Sequence, residues 1–595
     1  MGEYDGSGER APGDGDAEGD GPAAVTDGYG PVEQGSPPVE PAGDSRATYD
    51  YTGGAVDRPA LVSDLDGVVT GEVRFDEYTR ELYATDASAY EVTPVGVVFP
   101  ASTEDVAAVV EYCALREIPV LPRGGGTSLA GQAVNEAVVL DFTRHMDDVL
   151  GVDPETGRAR AQPGVLLGDL DATVGTHGLK FAPDPAWGDK STLGGAIGNN
   201  STGAHSLQYG KTDAYIESCE VVLADGTVTR FGESSLDSLR ERAPGDGIEA
   251  AVCRAVLDVL DERESVAAAY PALKRNVSGY NLDRLLEEAE TGQVNLARLL
   301  AGSEGTLAIV TEATVSLEPV PETKSVALLR YESLGDAMCD VAPILDHDPA
   351  AVEVLDDVLL DLARETGEFG DLVDELTPEG TGAALLVEFY AESDAAARDR
   401  VAALLADRTG DGPTDGAPRR ATGTHEAHDR AARDQVWKLR KSGLPILLSR
   451  TTDAKHISFV EDVAVDPARL PEFVADFQAV LDTNGTFASF YGHAGPGCLH
   501  VRPLVNTKTV EGVEQMRAIA DAAADLAVEY GGPAPAVHGK GPGRAAFYRR
   551  PNGGRVRGLC PGGKPALGSH LAPHPRGGAR RPPPSRRGGP RPRRR

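Results

Sequence analysis

Lysine is scarce in this chain. Acidic residues outnumber basic ones by 93 to 57, most of the 57 are arginine, and the net charge is −36. A strongly acidic, lysine-poor surface repels nucleic acid and anionic lipid, so no nucleic-acid partner is expected, and the composition is that of proteins that stay soluble in a very salty cytoplasm. There is no run of roughly 18 or more apolar residues, which argues against a membrane-spanning helix. The N-terminus, rich in Asp, Glu and Gly, lacks the basic start and apolar middle of a secretory signal. A cytoplasmic protein is therefore expected, at most peripheral to a membrane. The six cysteines, Cys113, Cys219, Cys253, Cys339, Cys498 and Cys560, are scattered without any Cys-x-x-Cys. That spacing argues against a disulfide framework and an iron–sulfur centre inside this chain, and each thiol is expected to be a small core hydrophobe.

What is present suffices for two or three domains: 595 residues, of which 41% are apolar. Residues 1–55 are Gly, Asp, Glu, Pro and Ala with almost no apolar periodicity and read as a disordered acidic tail. From Arg58 the texture is globular. An apolar strand at 95–100 is followed by a helix opened by Ser102 and Asp105, with Val106, Val109, Val110 and Cys113 at helical spacing. A short apolar strand, 118–121, then runs into Leu121-Pro122-Arg123-Gly124-Gly125-Gly126-Thr127-Ser128-Leu129-Ala130-Gly131-Gln132. Consecutive glycines leave amide N–H groups unshielded, so this loop reads as a phosphate cradle at the end of a buried strand. It is neither a Walker loop, having no Gly-Lys-Ser/Thr, nor a Rossmann turn, since Leu129 stands where the third glycine would be. Further strands at 137–142 and around 219–230, the latter turning at Asp225-Gly226, and a mostly helical stretch over 233–300 make this part α+β rather than doubly wound. From Lys324 strands and helices alternate: 326–329 before 336–345, 384–389 before 394–406, and 457–465 before 467–481. That order predicts a ferredoxin-like antiparallel sheet with helices on one face, interrupted by an exposed Gly/Pro/Asp/Arg excursion over 410–423.

Three more motifs follow the first loop. They are Phe181-Ala182-Pro183-Asp184-Pro185; the stretch from Ser191 to Ser206 (STLGGAIGNNSTGAHS) with Tyr209-Gly210; and Gly302-Ser303-Glu304-Gly305-Thr306-Leu307-Ala308-Ile309. In that order, from about Arg58 to about Gly532, they resemble the flavin-binding domain of vanillyl-alcohol oxidase-type enzymes, and most closely the glycolate oxidase and D-lactate dehydrogenase family. The resemblance implies a two-subdomain FAD-binding domain over 56–322, a cap or substrate domain over 323–532, and a further segment, 533–595. It implies FAD held by Arg123, Gly124, Gly125, Gly126, Thr127, Ser128, Gly131 and Gln132 at the pyrophosphate, and by Pro183, Asp184, Thr192, Gly194, Gly195, Asn199, Ser201, Gly203, Tyr209 and Gly210 along the ribityl chain and isoalloxazine. Glu304, Gly305, Thr306 and Ile309 would sit near the adenosine end. Relatives that tether flavin from the first loop carry a histidine near the position of Thr127, so a non-covalent flavin is expected here.

The chemistry-bearing groups implied by the resemblance lie in the second half. His493 and His500, in Gly492-His493-Ala494-Gly495-Pro496-Gly497-Cys498-Leu499-His500, are seven apart, which is not parity for one strand face but suits a turn at the glycines. In the family this stretch lies over the flavin, and its histidines bind a divalent metal such as zinc or contact the substrate; imidazole is a common ligand. Pro496 and Cys498 stand where the family has Asp and Asn. Trp437-Lys438-Leu439-Arg440-Lys441 resembles the helix that supplies an arginine, Arg440 here, to a substrate carboxylate, a match that suits a guanidinium. His538 keeps the place of a family histidine, but Val537 replaces its acidic neighbour. The implied reaction is FAD-dependent oxidation of a D-2-hydroxy acid, such as D-lactate or glycolate, to the 2-oxo acid. Arg440 would hold the carboxylate and one of His493, His500 or His538 would take the hydroxyl proton. Electrons would pass to a separate acceptor, an iron–sulfur protein or the quinone pool. Two other readings remain open: a redox-neutral transferase on the same scaffold, like the alkyl-glycerone-phosphate synthases, and a catalytically impaired flavin-binding protein. The last 63 residues hold 16 Lys or Arg and no Asp or Glu. They read as a disordered basic tail or the product of a shifted reading frame.

Overall fold

The computed structural model describes residues 58–532 except 186, 271, 272, 277, 278 and 410–419. The acidic tail, most of the 410–423 excursion, the basic segment and with it Val537 and His538 lie outside the described residues.

Two larger sheets, with two short ribbons (Glu233–Ser235 on Gln293–Asn295 and Leu179–Lys180 on Glu318–Pro319), build the described N-terminal part. In the first, strands Gly96–Phe99, Val138–Asp141 and Val120–Arg123 run parallel, with Glu72–Arg74 antiparallel at one edge. The parallel strands are apolar and buried on both sides, as strands covered on two faces must be. Helix Thr103–Ala114 packs on them through Val106, Val109, Val110 and Cys113. Ser102 caps that helix as expected, its Oγ accepting from the Asp105 N–H at 3.3 Å. The reciprocal bond of a capping box is redirected: the Asp105 carboxylate accepts from the N–H groups of Thr70, Gly71 and Ala101 at 2.8–3.0 Å and ties the helix to the edge strand. The second sheet is antiparallel, with strands in the order Val149–Asp153, Arg158–Ala161, Ile309–Ser316, Ile216–Val222, Val228–Phe231. The last two form the hairpin that Asp225-Gly226 signals, closing with Val222 opposite Val228 and Gly226 at φ +86°.

The C-terminal part is one large antiparallel sheet. Its order is Gly423–Ala427, Thr323–Tyr331, Ala383–Ala391, Ala351–Asp356, Ala488–His493, Cys498–Val505, Lys455–His456, with Val460–Ala464 also pairing with Cys498–Val505. Helices Leu334–Leu345, Asp394–Arg408, Leu470–Thr483 and Val510–Glu529 cover one face, against Ala327, Leu329, Val387 and Phe490. The expectation of helices on one face only is corrected here. The opposite face, carrying Val326, Leu328, Leu355 and Leu386, is covered by helices Asp357–Arg364, Gly370–Leu376, Arg430–Lys441 and Gly443–Leu448. Consecutive apolar residues such as Val326 to Leu329 therefore serve two cores at once, which is why these strands read as unbroken runs rather than as an alternation.

Candidate functional site

The glycine loop leaves strand Val120–Arg123 and meets the segment 190–195 at backbone distance. A Cβ on Gly125 would fall on the carbonyl oxygen of Lys190, and one on Gly124 on the Thr192 hydroxyl. Gly126 takes a positive φ of 65° to complete the turn. Side chains brace the cradle from behind. Arg123 donates to the carbonyls of Ala133 (2.8 Å), Thr85 (2.9 Å) and Tyr83 (3.3 Å). Thr127 and Ser191 share a hydroxyl contact at 3.1 Å, and Gln132 Nε2 reaches Asn199 Oδ1 at 2.7 Å and Glu304 Oε1 at 3.3 Å. Three motifs far apart in sequence are thus stitched into one wall.

That wall bounds a cavity of about 280 Å³. Of the residues expected around a flavin, Arg123, Gly124, Gly125, Gly126, Thr127, Ser128, Gln132, Asp184, Thr192, Gly194, Gly195, Asn199, Ser201, Glu304 and Gly305 line it. Gly131, Pro183, Gly203, Tyr209, Gly210, Thr306 and Ile309 do not. Gly203 is instead where the chain passes against the Asp184 carbonyl, Thr306 closes a turn on the Ser303 carbonyl at 2.5 Å, and Ile309 is core. The donor set fits FAD: backbone cradle at one end, apolar walls from Pro163, Ile197 and Leu300, and both tryptophans of the chain, Trp187 and Trp437, on the perimeter.

The far end of the cavity is the buried face of the C-terminal sheet. Val354 stands opposite Gly492, Tyr491 opposite His500, and Ala351 opposite Glu388. Because alternate residues share a face, Glu388, Glu353, Tyr491, His493, His500 and Arg502 all project on the same side across four adjacent strands. The odd spacing of His493 and His500 is absorbed by the hairpin, and their rings stand 5.0 Å apart, edge to face. Glu353, fully buried, organises this end. Its Oε2 accepts from Arg440 Nε (2.7 Å) and Nη2 (2.6 Å), and its Oε1 lies 2.8 Å from His493 Nδ1. Burial raises the Glu353 pKa, while Arg440, His500 and Arg275 oppose the rise. In a neutral His493, an Nδ1–H donated to the carboxylate places the lone pair at Nε2. Arg502 donates to the Tyr491 hydroxyl at 3.0 Å, and Arg275, 2% exposed, lines the cavity and donates to Ser206 Oγ at 3.3 Å.

Arg440, His493 and His500, expected from the sequence, therefore do meet at one cavity wall, and His538 is outside the described residues. Among the described residues no cluster of three His, Cys, Asp or Glu side chains is placed to hold a metal ion. Glu353, Arg502 and Arg275 were not among the expected site residues. A lone Glu in Ala-Val-Glu-Val-Leu-Asp and a lone Arg in Cys-Leu-His-Val-Arg-Pro-Leu-Val were the available signals, because a charge in an otherwise buried strand needs a partner.

Comparison with known proteins finds flavin-linked families over both parts of the chain. The families described as "FAD binding domain" and "FAD linked oxidases, C-terminal domain" match residues 94–232 and 320–558, the second running past Gly532. A D-2-hydroxyglutarate dehydrogenase of Pseudomonas putida is 31% identical over 480 residues, which are 79% of this chain and 47% of that protein, so the chain spans about half the length of that relative. A D-lactate dehydrogenase of Archaeoglobus fulgidus is 30% identical over 475 residues, 79% of this chain and 86% of the relative. In fold the chain is similar to the 4-ethylphenol oxidase of Gulosibacter chungangensis, with TM-score 0.58 at 18% identity, covering 87% of this chain and 96% of that one. The chain belongs to the FAD-linked oxidases of the glycolate oxidase and D-lactate dehydrogenase family.

Proposed function

We propose that the protein oxidises a D-2-hydroxy acid to the 2-oxo acid. The observation that carries this reading is the shared cavity: the flavin cradle forms one wall, and the Arg440–Glu353–His493 array with His500 forms the other. FAD, when bound, supplies the acceptor for the hydride of the α-carbon. Arg440 holds the carboxylate. Its Nε and one proton of Nη2 are committed to Glu353, so the acid is met by the outer edge of the fork, Nη1 with the remaining Nη2 proton. His493, fixed by Glu353 as an Nδ1–H tautomer, takes the hydroxyl proton at Nε2, and His500 lies beside it. His493 and His500 would be the ligands of a divalent cation, and a cation there would lower the hydroxyl pKa in place of proton transfer to His493 Nε2; the Glu353 contact would orient His493 for that role as well.

The pocket's charge favours a dianionic acid. Three buried guanidiniums, Arg275, Arg440 and Arg502, line the cavity together with Lys441, and among the described residues the carboxylates at it are Asp184, Glu304 and, behind Arg440, Glu353. A second substrate carboxylate, carried toward Tyr491, would meet this cationic lining, and a D-2-hydroxyglutarate-like acid has that form. Anaerobic mixing of the FAD-loaded protein with D-2-hydroxyglutarate, D-lactate and glycolate tests both levels. Bleaching of the flavin band by any of them supports hydroxy-acid oxidation, and the dicarboxylate should act at the lowest concentration. A flavin that stays oxidised with all three would refute the reading. Electrons then leave to an acceptor outside the chain.

A further inference from the structure

A second buried polar cluster stands beside the site and joins the two parts of the molecule. His205 comes from the loop before helix Ser206–Tyr209, next to cavity-lining Ala204. Its Nε2 is 2.6 Å from Glu388 Oε2 of the C-terminal sheet and its Nδ1 3.5 Å from Asp184 Oδ2 of the flavin wall. The other Glu388 oxygen accepts from the Trp437 indole N–H at 3.1 Å, and Lys441 Nζ approaches Asp184 Oδ2 at 3.8 Å. Trp437 and Lys441 are one turn apart on helix Arg430–Lys441, so the contacts close a ring: helix, flavin wall, His205, sheet, helix. The imidazole is also packed between rings, 5.2 Å from Trp437 and 5.8 Å from Tyr390, the latter nearly parallel at 28°. His205 is 7% and Glu388 1% exposed. Burial alone would lower the His205 pKa, but Asp184 and Glu388 raise it, and Glu388 is lowered in return; Lys180 and Lys324 are the other charges nearby. The ring touches none of the groups assigned to proton transfer. It fixes the helix turn between Trp437 and Lys441, on which Arg440, the residue proposed to hold the acid, lies.

We propose that His205 is a positioning residue: by bridging Asp184 and Glu388 it sets the height of helix Arg430–Lys441 over the flavin cradle and hence the reach of Arg440 to the substrate carboxylate. The inference rests on the proposed hydroxy-acid oxidation. A displacement of about 1 Å at a binding group is enough for a large loss.

The test compares wild-type protein with His205→Asn, Glu388→Gln and the double variant, using D-2-hydroxyglutarate and D-lactate as probes. FAD content, melting temperature, kcat and KM are measured together, with Arg440→Lys as control. Each single variant should keep its FAD and raise KM for whichever acid turns over by about tenfold or more, with less than about threefold change in kcat. The double variant should be no worse than the worse single one, since both break one ring. A lowered melting temperature with unchanged KM, or additive effects on KM, would overturn the proposal. Should His205→Asn not yield folded protein, Glu388→Gln, which keeps the shape of the side chain but removes the charge that faces His205, decides the question through the same KM shift. If Arg440→Lys leaves KM unchanged, the functional reading fails; if it raises KM while the ring variants do not, only this inference fails.

Discussion

Replacing Glu353 with Gln should separate binding from proton transfer. The side chain keeps its shape but has one acceptor oxygen where there were two. Arg440 offers two N–H groups at 2.6–2.7 Å, the stronger demand, so the amide oxygen turns to the guanidinium and the NH₂ faces His493. His493 Nδ1, now opposite a donor, must accept, which moves its proton to Nε2 and removes the lone pair aimed at the cavity. Loss of a positioned general base costs about 10²–10⁴-fold. The limiting rate of flavin reduction should fall by that factor while the apparent Kd of the acid shifts by less than about tenfold, because Arg440 remains held. The lost negative charge leaves a buried guanidinium without its counter-ion, for which about 3–5 kcal/mol of destabilisation is the scale when one partner of a buried pair is removed. Stopped-flow reduction across acid concentrations reads rate and affinity separately, and urea unfolding of the same sample reads stability. A variant reducing flavin within threefold of wild type would show that His493 is not the base, or that Glu353 does not set its tautomer.

Three further outcomes are expected. Gly125→Ala must displace the Lys190 carbonyl, an overpacking of about 1–3 kcal/mol; FAD should bind roughly 10- to 100-fold more weakly by titration of apoprotein, and unchanged affinity would mean that this loop does not hold the cofactor. Because Trp187 and Trp437 are the chain's only tryptophans and both line the cavity, adding FAD to apoprotein should quench most of the indole fluorescence; an unquenched spectrum would put the flavin elsewhere. Burial pushes the Asp356 carboxyl up to about 7, although Phe490 N–H, Ser489 and Leu359 N–H donate to it. A raised folded pKa means that the native state holds this proton when the unfolded chain, near 3.9, has released it. Stability from this group is present at low pH and lost between about pH 4 and 7, by roughly 1.4 kcal/mol for each pH unit at most. Asp356→Asn should flatten that part of the stability–pH curve, whatever its effect on absolute stability; an unaltered slope would refute the assignment.

The glycine loops, the Asp225-Gly226 hairpin and the alternating second half were legible because each has a local cause: backbone approach, turn geometry, apolar period. Arg440 and the two histidines were legible through their neighbours in the family's motifs. Glu353 and Glu388 were not, because their meaning is a partner 87 and 183 residues away, Arg440 and His205, and no period encodes that. Arg275 sits in an irregular loop between helices, where neither spacing nor propensity carries information. The two-sided covering of the large sheet was hidden for a different reason: a strand apolar at every position satisfies either a one-sided or a two-sided reading until the helices are placed.

The polar row across four strands has a consequence for how this site can change. Glu388, Glu353, Tyr491, His493, His500 and Arg502 occupy the same face only while the ladder keeps its pairing, with His493 opposite Cys498 and Val354 opposite Gly492. Inserting or deleting one residue within either hairpin strand would turn that strand's half of the row into the opposite hydrophobic core and bring apolar side chains out in its place. Substitutions at alternate positions, by contrast, alter the acid-binding wall while leaving the core behind it untouched. Variation in acid preference on this scaffold should therefore arise through point changes of even spacing and not through changes in strand length.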